Sequence, residues 1–158
     1  FALPGGQVFI TAALYQQLKS EGQLAGVLGH EIGHVVARHG AQRIAKQELT
    51  EGLTGAVVVA SGDARTAQMA AMIGQMVNMK YGRDDELQSD KLGVRFMSEA
   101  GYDPRSMIDV MKILAASRSG AEQPEFFSTH PNPENRIARI EEAIAELFPS
   151  GAPDNLEK

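Results

Sequence analysis

The chain has 158 residues, of which 43% are apolar and 22% charged, a composition typical of one globular domain. It contains no cysteine, which excludes thiolate zinc sites, redox motifs and cysteine nucleophiles. The net charge of −5 is mild and no long basic run is present, so nucleic acid is not expected as a partner.

The first ten residues, FALPGGQVFI, contain the one convincing strand of the sequence, from Val8 to Ile10, after a turn at Pro4-Gly5-Gly6. Because the first residue is Phe1 rather than Met, we expect a fragment or a processed chain. Residues 1–148 are therefore predicted to form an N-terminally incomplete domain, and residues 149–158 a flexible tail.

Apolar residues at helical spacing predict most of the remaining fold. The predicted helices cover residues 12–20, 23–39, 41–50, 83–100, 103–117 and 132–148, and an Ala/Met-rich helix begins near residue 64. Their boundaries are glycines or an N-cap followed by proline, namely Glu21-Gly22, Gly40, Gly101, Asp103-Pro104 and Asn132-Pro133. The segment from Met69 to Met79 is interpreted as a buried core helix, with a lid or a partner surface as the alternative. The sequence thus predicts one mainly helical domain with a small N-terminal strand region, and its apolar stretches are too short to span a bilayer.

The segment VLGHEIGHVVARH holds three of the four histidines inside an otherwise apolar predicted helix. His30 and His34 are four residues apart, so they lie on one helix face and can bind the same ion. Glu31 is turned by about 100° from His30 and is a candidate general base toward a metal-activated water. The alternative is a chance pair of surface histidines with a solvated glutamate. Three unpaired polar side chains would be costly within an apolar helix, so metal binding is favoured.

A zinc ion prefers four ligands, so further ligands must come from elsewhere in the chain. The segment RDDELQSDK offers Glu86 and Asp90, again four residues apart, with Arg83 three residues before Glu86. If Glu86 binds zinc, Asp90 lies one turn further and can accept a hydrogen bond from a zinc-binding histidine. A solvated acidic face that pairs with Arg83 and Lys91 explains the same spacing equally well.

The other two histidines are less informative by themselves. His130 lies in the loop FFSTHPNPENRI, where a histidine is more often a loop residue than a site residue. His39 follows His34 by five residues and lies about 140° from the metal-binding face, so it is interpreted as a helix-end residue or a neighbour of a ligand. Gly29 and Gly33 leave room for another element to approach, which helix packing alone also explains.

Four motifs in order, FALPGG, LGHEIGHVVARH, RDDELQSD and STHPNPENRI, resemble the HtpX, CaaX-prenyl-protease and BepA group of zinc metallopeptidases. The resemblance extends from Phe1 to about Ile144. It implies a gluzincin, a mainly α (α+β) zincin-like single domain whose small strand region borders the substrate cleft, with one Zn²⁺ per chain. Because the residues here lack the hydrophobic spans of the integral-membrane members, the resemblance is to the soluble, extracytoplasmic branch. This implies the bacterial periplasm, or membrane association through segments absent from this chain.

The resemblance also implies roles for individual residues. The implied zinc ligands are His30, His34 and Glu86. The implied base is Glu31. Asp90 matches the family's acid next to a zinc-binding histidine, and Arg83 is placed beside it.

Towards the C-terminus, His130 and Arg136 match a histidine–proline…arginine motif near the active site. The resemblance leaves two roles open for His130, which either stabilises the oxyanion or occupies the fourth zinc position; Arg136 is the second candidate for the oxyanion. The strand from Val8 to Ile10 resembles the edge to which an extended substrate adds.

These features predict a zinc-dependent endopeptidase that acts on unfolded or damaged envelope proteins. The alternative is a zinc-binding, chaperone-like module that holds misfolded partners and cleaves little, for which an intact Glu31 has no use. A structural zinc without a partner is a third interpretation. The sequence makes no prediction of oligomeric state or cleavage preference.

Overall fold

The computed structural model of the protein describes residues 1–117, 130 and 135–158, and the side chains of these residues outside positions 61, 67, 70 and 73–81. The described residues form six helices, α1 (Ala12–Tyr15), α2 (Glu21–Val36), α3 (His39–Ser61), α4 (Ala64–Glu99), α5 (Arg105–Ser117) and α6 (Arg136–Leu147). The predicted mainly helical single domain is therefore confirmed. The predicted helix start at Asn132-Pro133 lies outside the described residues.

The N-terminal segment forms a short hairpin rather than the predicted strand. Ala2 and Val8 form an isolated antiparallel bridge, and Phe1 and Phe9 exchange two backbone hydrogen bonds of 2.9 Å. The chain reverses at Gly6, whose φ of +92° is readily adopted only by glycine. Val8 takes part only in this isolated bridge, and no continuous strand forms from Val8 to Ile10, so the predicted strand is wrong in its extent.

Helix α2 carries the histidine motif and begins earlier than predicted. The Ser20 side chain accepts a hydrogen bond from the backbone N–H of Gln23 at 3.3 Å, so the helix begins at Glu21. The predicted interruption at Glu21-Gly22 is wrong. Gly22 packs instead against Lys158, whose carbonyl carbon lies 2.7 Å from the position that a β-carbon would take.

The break after α2 lies at Arg38, two residues before the predicted one at Gly40. Arg38 adopts φ +58°, a left-handed conformation that is unfavourable for residues other than glycine. The next helix, α3, therefore begins at His39 and continues to Ser61, so the predicted helix at residues 41–50 is too short. This turn directs His39 back towards α2.

Helices α3 and α4 are adjacent and are joined only by Gly62 and Asp63. Met69 and Met72 in the first part of α4 are 64% and 61% exposed, so the prediction of a buried Met-rich core helix is wrong for them. The other methionine side chains of that segment lie outside the described residues. At its far end α4 stops before Gly101, which has φ +90°, as predicted.

The apolar core lies where the second part of α4 packs against α2 and α6, and where α5 packs against α2 and α6. Its buried side chains are Val27, Val94, Met97, Met107, Val110, Met111, Leu114, Ile140 and Ala143. No helix in the described part of the chain is both long and apolar enough to cross a bilayer. The core therefore fixes α2, α4 and α6, the three helices that carry the histidine motif, the acidic motif and Arg136.

The C-terminal residues pack back onto the start of α5. The Asp103 side chain accepts a hydrogen bond from the Arg105 backbone N–H at 2.9 Å, which fits the predicted cap. Glu157 donates its backbone N–H to the Gly101 carbonyl at 3.0 Å and accepts one from Asp103 at 2.6 Å. These hydrogen bonds do not fit the flexible tail predicted for residues 149–158. The predicted domain boundary at residue 148 stays a prediction.

The contact between α2 and α4 depends on glycines of the histidine motif. A β-carbon on Gly29 would lie 3.2 Å from the carbonyl oxygen of Gly93, and one on Gly33 would lie 2.9 Å from that of Ser89. Both atoms belong to the α4 backbone and have no freedom to rotate away. Gly29 and Gly33 therefore bring His30 and His34 close to the acidic motif of α4.

We expect Gly33→Ala to lower the free energy of unfolding by about 1–3 kcal/mol, because the new methyl group overpacks the contact with α4. Gly55→Ala in α3 is the matched control, since nothing lies within 4 Å of its β-carbon position. The control should raise the free energy of unfolding by about 0.5–1 kcal/mol through helix propensity. Denaturant unfolding measures both. Equal effects of the two variants would contradict a tight contact at Gly33.

Candidate metal centre and active site

The structure brings the three predicted zinc ligands together. His30 and His34 project from the same face of α2, and their Nε2 atoms are 3.0 Å apart. Glu86 approaches from α4, with one carboxylate oxygen 3.3 Å from Nε2 of His30 and the other 3.3 Å from Nε2 of His34. Glu86 is 2% exposed, so the alternative of a solvated acidic face is wrong for this residue.

A fourth residue, His130, completes the cluster with a third imidazole nitrogen. Nδ1 of His130 lies 3.4 Å from Nε2 of His30 and 3.0 Å from a carboxylate oxygen of Glu86. One ligand atom from each of the four residues lies within 4.8 Å of the others. These residues are His30, His34, Glu86 and His130.

The spacing of these atoms can be compared with that around a zinc ion. Ligand atoms 2.0–2.1 Å from a tetrahedral zinc lie about 3.3–3.4 Å from one another. The distances between the histidine nitrogens and the Glu86 oxygens range from 3.0 to 3.3 Å, close to this value. Imidazole nitrogen and carboxylate oxygen are also ligands that zinc accepts. The residues present therefore fit a zinc ion.

Behind the cluster, a buried ion pair holds His30 in place. Nδ1 of His30 lies 2.8 Å from Oδ1 of Asp90, as predicted for a carboxylate next to a ligand. Arg136 of α6 donates to both oxygens of Asp90 at 2.7 Å, and its Nη1 is 3.3 Å from Glu86. Asp90 and Arg136 are each 1% exposed. The pair therefore links α4 and α6 directly to a candidate ligand on α2.

These contacts change the predicted roles of two arginines. Arg136 points into the protein towards Asp90 and does not line the cavity that opens onto the site, so, unlike the prediction, it orients groups of the site. Arg83, predicted beside Asp90, is exposed and has no contact with the site among the described residues. The physical reason is that Arg136 already provides the cationic partner of both acidic groups, Asp90 and Glu86.

The charges of the site favour a cation between the ligands. Burial lowers the pKa of His30, but hydrogen bonds to Asp90 and Glu86 outweigh burial and raise it to about 9. Burial raises the pKa of Glu86, but its hydrogen bonds with His130, His30 and His34 hold it well below its ordinary range. The carboxylates are therefore ionised at neutral pH and stabilise positive charge near the imidazoles, from protons or from a metal ion.

Glu31 lies beside the cluster without belonging to it. Its side chain is 1% exposed, and its Oε1 is 3.3 Å from Nε2 of His130. Burial raises the pKa of Glu31, but the hydrogen bond and the charge of His130 outweigh burial and lower it to about 2. Glu31 is therefore an ionised carboxylate at neutral pH, which is the form that accepts a proton.

A cavity of about 230 Å³ opens onto these groups. Its lining includes Glu31, His34, Glu86 and His130, together with Phe1 and Ala2 of the N-terminal hairpin. Residues 8–10, predicted as the substrate-binding edge, do not line it. The hairpin residues that border the site are Phe1 and Ala2 instead, and the Phe1 amino group lies 3.3 Å from Oε1 of Glu31.

Sequence reasoning did not identify the surroundings of His39. This histidine is 2% exposed and contacts His34, Gln88 and Ser89. Gln88 and Ser89 lie within the acidic motif, but no spacing rule predicts that they meet the first residue of α3. His39 is a neighbour of a candidate ligand, in agreement with one of the two interpretations from the sequence.

Comparison with known proteins gives a consistent result. The model of peptidase family M48 matches residues 1–144. The beta-barrel assembly-enhancing protease of Escherichia coli (strain K12) is 32% identical over 160 residues, which cover 94% of this chain and 33% of that protein. The mitochondrial metalloendopeptidase OMA1 of Schizosaccharomyces pombe is 32% identical over 149 residues, 92% of this chain and 43% of that protein. The chain thus spans about a third to less than half of the length of these relatives.

Proposed function

The chain belongs to peptidase family M48 and is a metallopeptidase domain of that family, and we propose that it is a zinc-dependent endopeptidase that cleaves unfolded or damaged envelope proteins. The observation that carries this proposal is the convergence of three elements on one cavity. His34 and Glu86 of the ligand set, the ionised Glu31, and Phe1 and Ala2 of the hairpin all border the same cavity.

In the proposed mechanism one proton moves twice, first from the attacking water to Glu31 and then from Glu31 to the leaving amine. A zinc ion held by His30, His34 and Glu86 would supply Lewis acidity, which makes a water more acidic and a carbonyl more electrophilic. Glu31 accepts a proton from the attacking water, and the same carboxyl then donates it to the leaving amine. Glu31, with its pKa lowered to about 2, is ionised at neutral pH and is therefore in the form that accepts this proton.

The outer edge of the hairpin is the part of the site that we propose binds an extended substrate. Ala2 and Val8 form a non-hydrogen-bonded pair, because the backbone bonds flank them at Phe1–Phe9 and Leu3–Gln7. In such a pair the N–H and C=O of each residue point away from the partner. Those of Ala2 therefore point to the outer edge, and we propose that the substrate backbone pairs with Ala2 as an added strand.

Substrate class and location extend this proposal. One relative is named as a protease that enhances β-barrel assembly, and another as a mitochondrial metalloendopeptidase. We therefore propose unfolded or misfolded polypeptides as substrates and an extracytoplasmic location, as in the bacterial periplasm. An extended substrate strand beside Ala2 requires an unfolded segment, which agrees with this class of substrate.

The proposal is tested by measuring zinc per chain in the native protein and in Glu86→Gln, by elemental analysis after dialysis. We expect about one zinc in the native protein and a sharp reduction in the variant, because an amide is a poorer and uncharged ligand. Glu99→Gln is the control, since Glu99 lies on the same helix in an exposed ion pair with Arg95. Absence of zinc from the native protein, or equal zinc in all three, would overturn the proposed site.

One observation favours the chaperone-like alternative. Nδ1 of His130 lies close enough to the other ligand atoms to take the fourth position, and a site with four protein ligands resembles a structural one. In the same position, Nε2 of His130 is 3.3 Å from Glu31. A role for His130 at the oxyanion requires that its ring leave this position. An assay of peptide cleavage separates the endopeptidase from the chaperone-like module, because only the endopeptidase cleaves efficiently.

A further inference from the structure

His34 has two nitrogens that face different groups. Its Nε2 faces the ligand set, 3.0 Å from Nε2 of His30 and 3.3 Å from Glu86. Its Nδ1 faces the opposite way and lies 3.0 Å from Nδ1 of His39. His39 is 2% exposed, so this second contact takes place inside the protein.

The hydrogen-bond chemistry of this contact defines the tautomers of both rings. A neutral imidazole that binds a metal through Nε2 carries its hydrogen on Nδ1, and this N–H needs an acceptor. Nδ1 of His39 accepts it when the hydrogen of His39 is on Nε2. Nε2 of His39 lies 3.0 Å from Oε1 of Gln88 and 3.7 Å from Oδ1 of Asp85, two oxygens that only accept. The hydroxyl of Ser89, 3.2 Å from Nδ1 of His39, is further away than Nδ1 of His34 and shares the single lone pair of that nitrogen.

We propose that His39 is a positioning residue for His34. It accepts the Nδ1 hydrogen of His34, which directs Nε2 of His34 to the metal, and Gln88 fixes the tautomer of His39 that makes this possible. This inference rests on the metal site of the proposed function. The other histidine of the motif has a different partner, because Nδ1 of His30 meets the carboxylate of Asp90 at 2.8 Å.

The turn at Arg38 makes this contact possible. In a continuous helix His39 would lie about 140° around the axis from His34 and would point away from it. Arg38 adopts φ +58°, and His39 begins a new helix that directs its ring back to His34. Residues other than glycine rarely hold such a conformation unless surrounding contacts compensate for it. The buried contact of His39 with His34 is one such compensation.

The test compares His39→Leu with His39→Asn, two side chains of nearly equal size. The Asn amide oxygen can take the place of Nδ1 and accept from His34, whereas Leu offers no acceptor. Zinc affinity is measured by competition with a chromophoric chelator on the whole protein. We expect Leu to weaken zinc binding by about 10–100-fold, as for other partners of zinc-binding histidines, and Asn to restore most of it. The visible spectrum of the cobalt(II)-substituted protein should change with Leu more than with Asn.

Two outcomes would overturn the inference while leaving the proposed function intact. In the first, the native protein binds one zinc, and the zinc affinity of His39→Leu is within twofold of the native affinity. In the second, His39→Leu and His39→Asn weaken zinc binding equally. Should His39→Leu fail to fold, Gln88→Leu and Gln88→Glu decide the question, because Gln88 lies at the surface. We expect Gln88→Leu to weaken zinc binding several-fold and Gln88→Glu, which keeps an acceptor, to preserve it; equal affinities would overturn the inference. A native protein without zinc would instead overturn the proposed function.

Discussion

Glu31→Gln is expected to lower the turnover number for peptide hydrolysis by about 10²–10⁴-fold while zinc binding is preserved. The amide has the same size as the carboxylate but has no affinity for a proton. Glu31 lies outside the candidate ligand set, and its Oε1 is 3.3 Å from both Nε2 of His130 and the Phe1 amino group. Its replacement should therefore remove the proton acceptor without removing a ligand.

The measurement is the cleavage rate of an unfolded protein such as reduced casein, together with zinc content. Glu21→Gln is the matched control, since Glu21 is an exposed residue in the first turn of the same helix. Unchanged cleavage by Glu31→Gln would exclude Glu31 as the base. If the native protein binds zinc and suppresses aggregation but neither it nor the variant cleaves, the chaperone-like function is the correct one.

Arg136→Met is expected to lower the free energy of unfolding by about 3–5 kcal/mol, because it leaves the carboxylate of Asp90 buried without its cationic partner. Asp90 and Arg136 are each 1% exposed and share two hydrogen bonds of 2.7 Å. Burial raises the pKa of Asp90, but hydrogen bonds and charges of His30 and Arg136 outweigh burial and lower it. Met fills a similar volume, so the effect reports lost charge rather than a large cavity.

Chemical denaturation in the presence of a chelator measures this effect without the contribution of bound metal to stability. Arg139→Met is the control, because Arg139 lies one turn further along α6 in an exposed pair with Glu142. Exposed pairs of this kind contribute about 0–1 kcal/mol, so the control should change the free energy of unfolding little. A loss of less than about 1 kcal/mol for Arg136→Met would show that the buried pair is not a main support of the site.

Local spacing was sufficient to predict the histidine motif. His30 and His34 meet because residues four apart on a helix share a face, a rule that needs no knowledge of the rest of the chain. The stop of α4 at Gly101 and the cap of α5 by Asp103 follow from the same kind of local chemistry. The start of α2 was missed although Ser20 is a residue type that caps helices through its side chain. The end of α2 was missed because Arg38 adopts a left-handed backbone conformation that its residue type does not specify.

The sequence by itself thus determined the helical class of this protein and the helix face on which the two imidazoles lie, with Glu31 turned about 100° from it, since these depend on geometry within about one turn of helix. Only the tertiary structure decided whether Glu86 is a buried neighbour of the two imidazoles or part of a solvated acidic face. The answer depends on how closely α4 packs against Gly29 and Gly33. The tertiary structure likewise decided that Arg136, rather than Arg83, pairs with Asp90. Such long-range pairs form where separate helices pack against one another, and the spacing of residues along the chain does not predict which helices pack together.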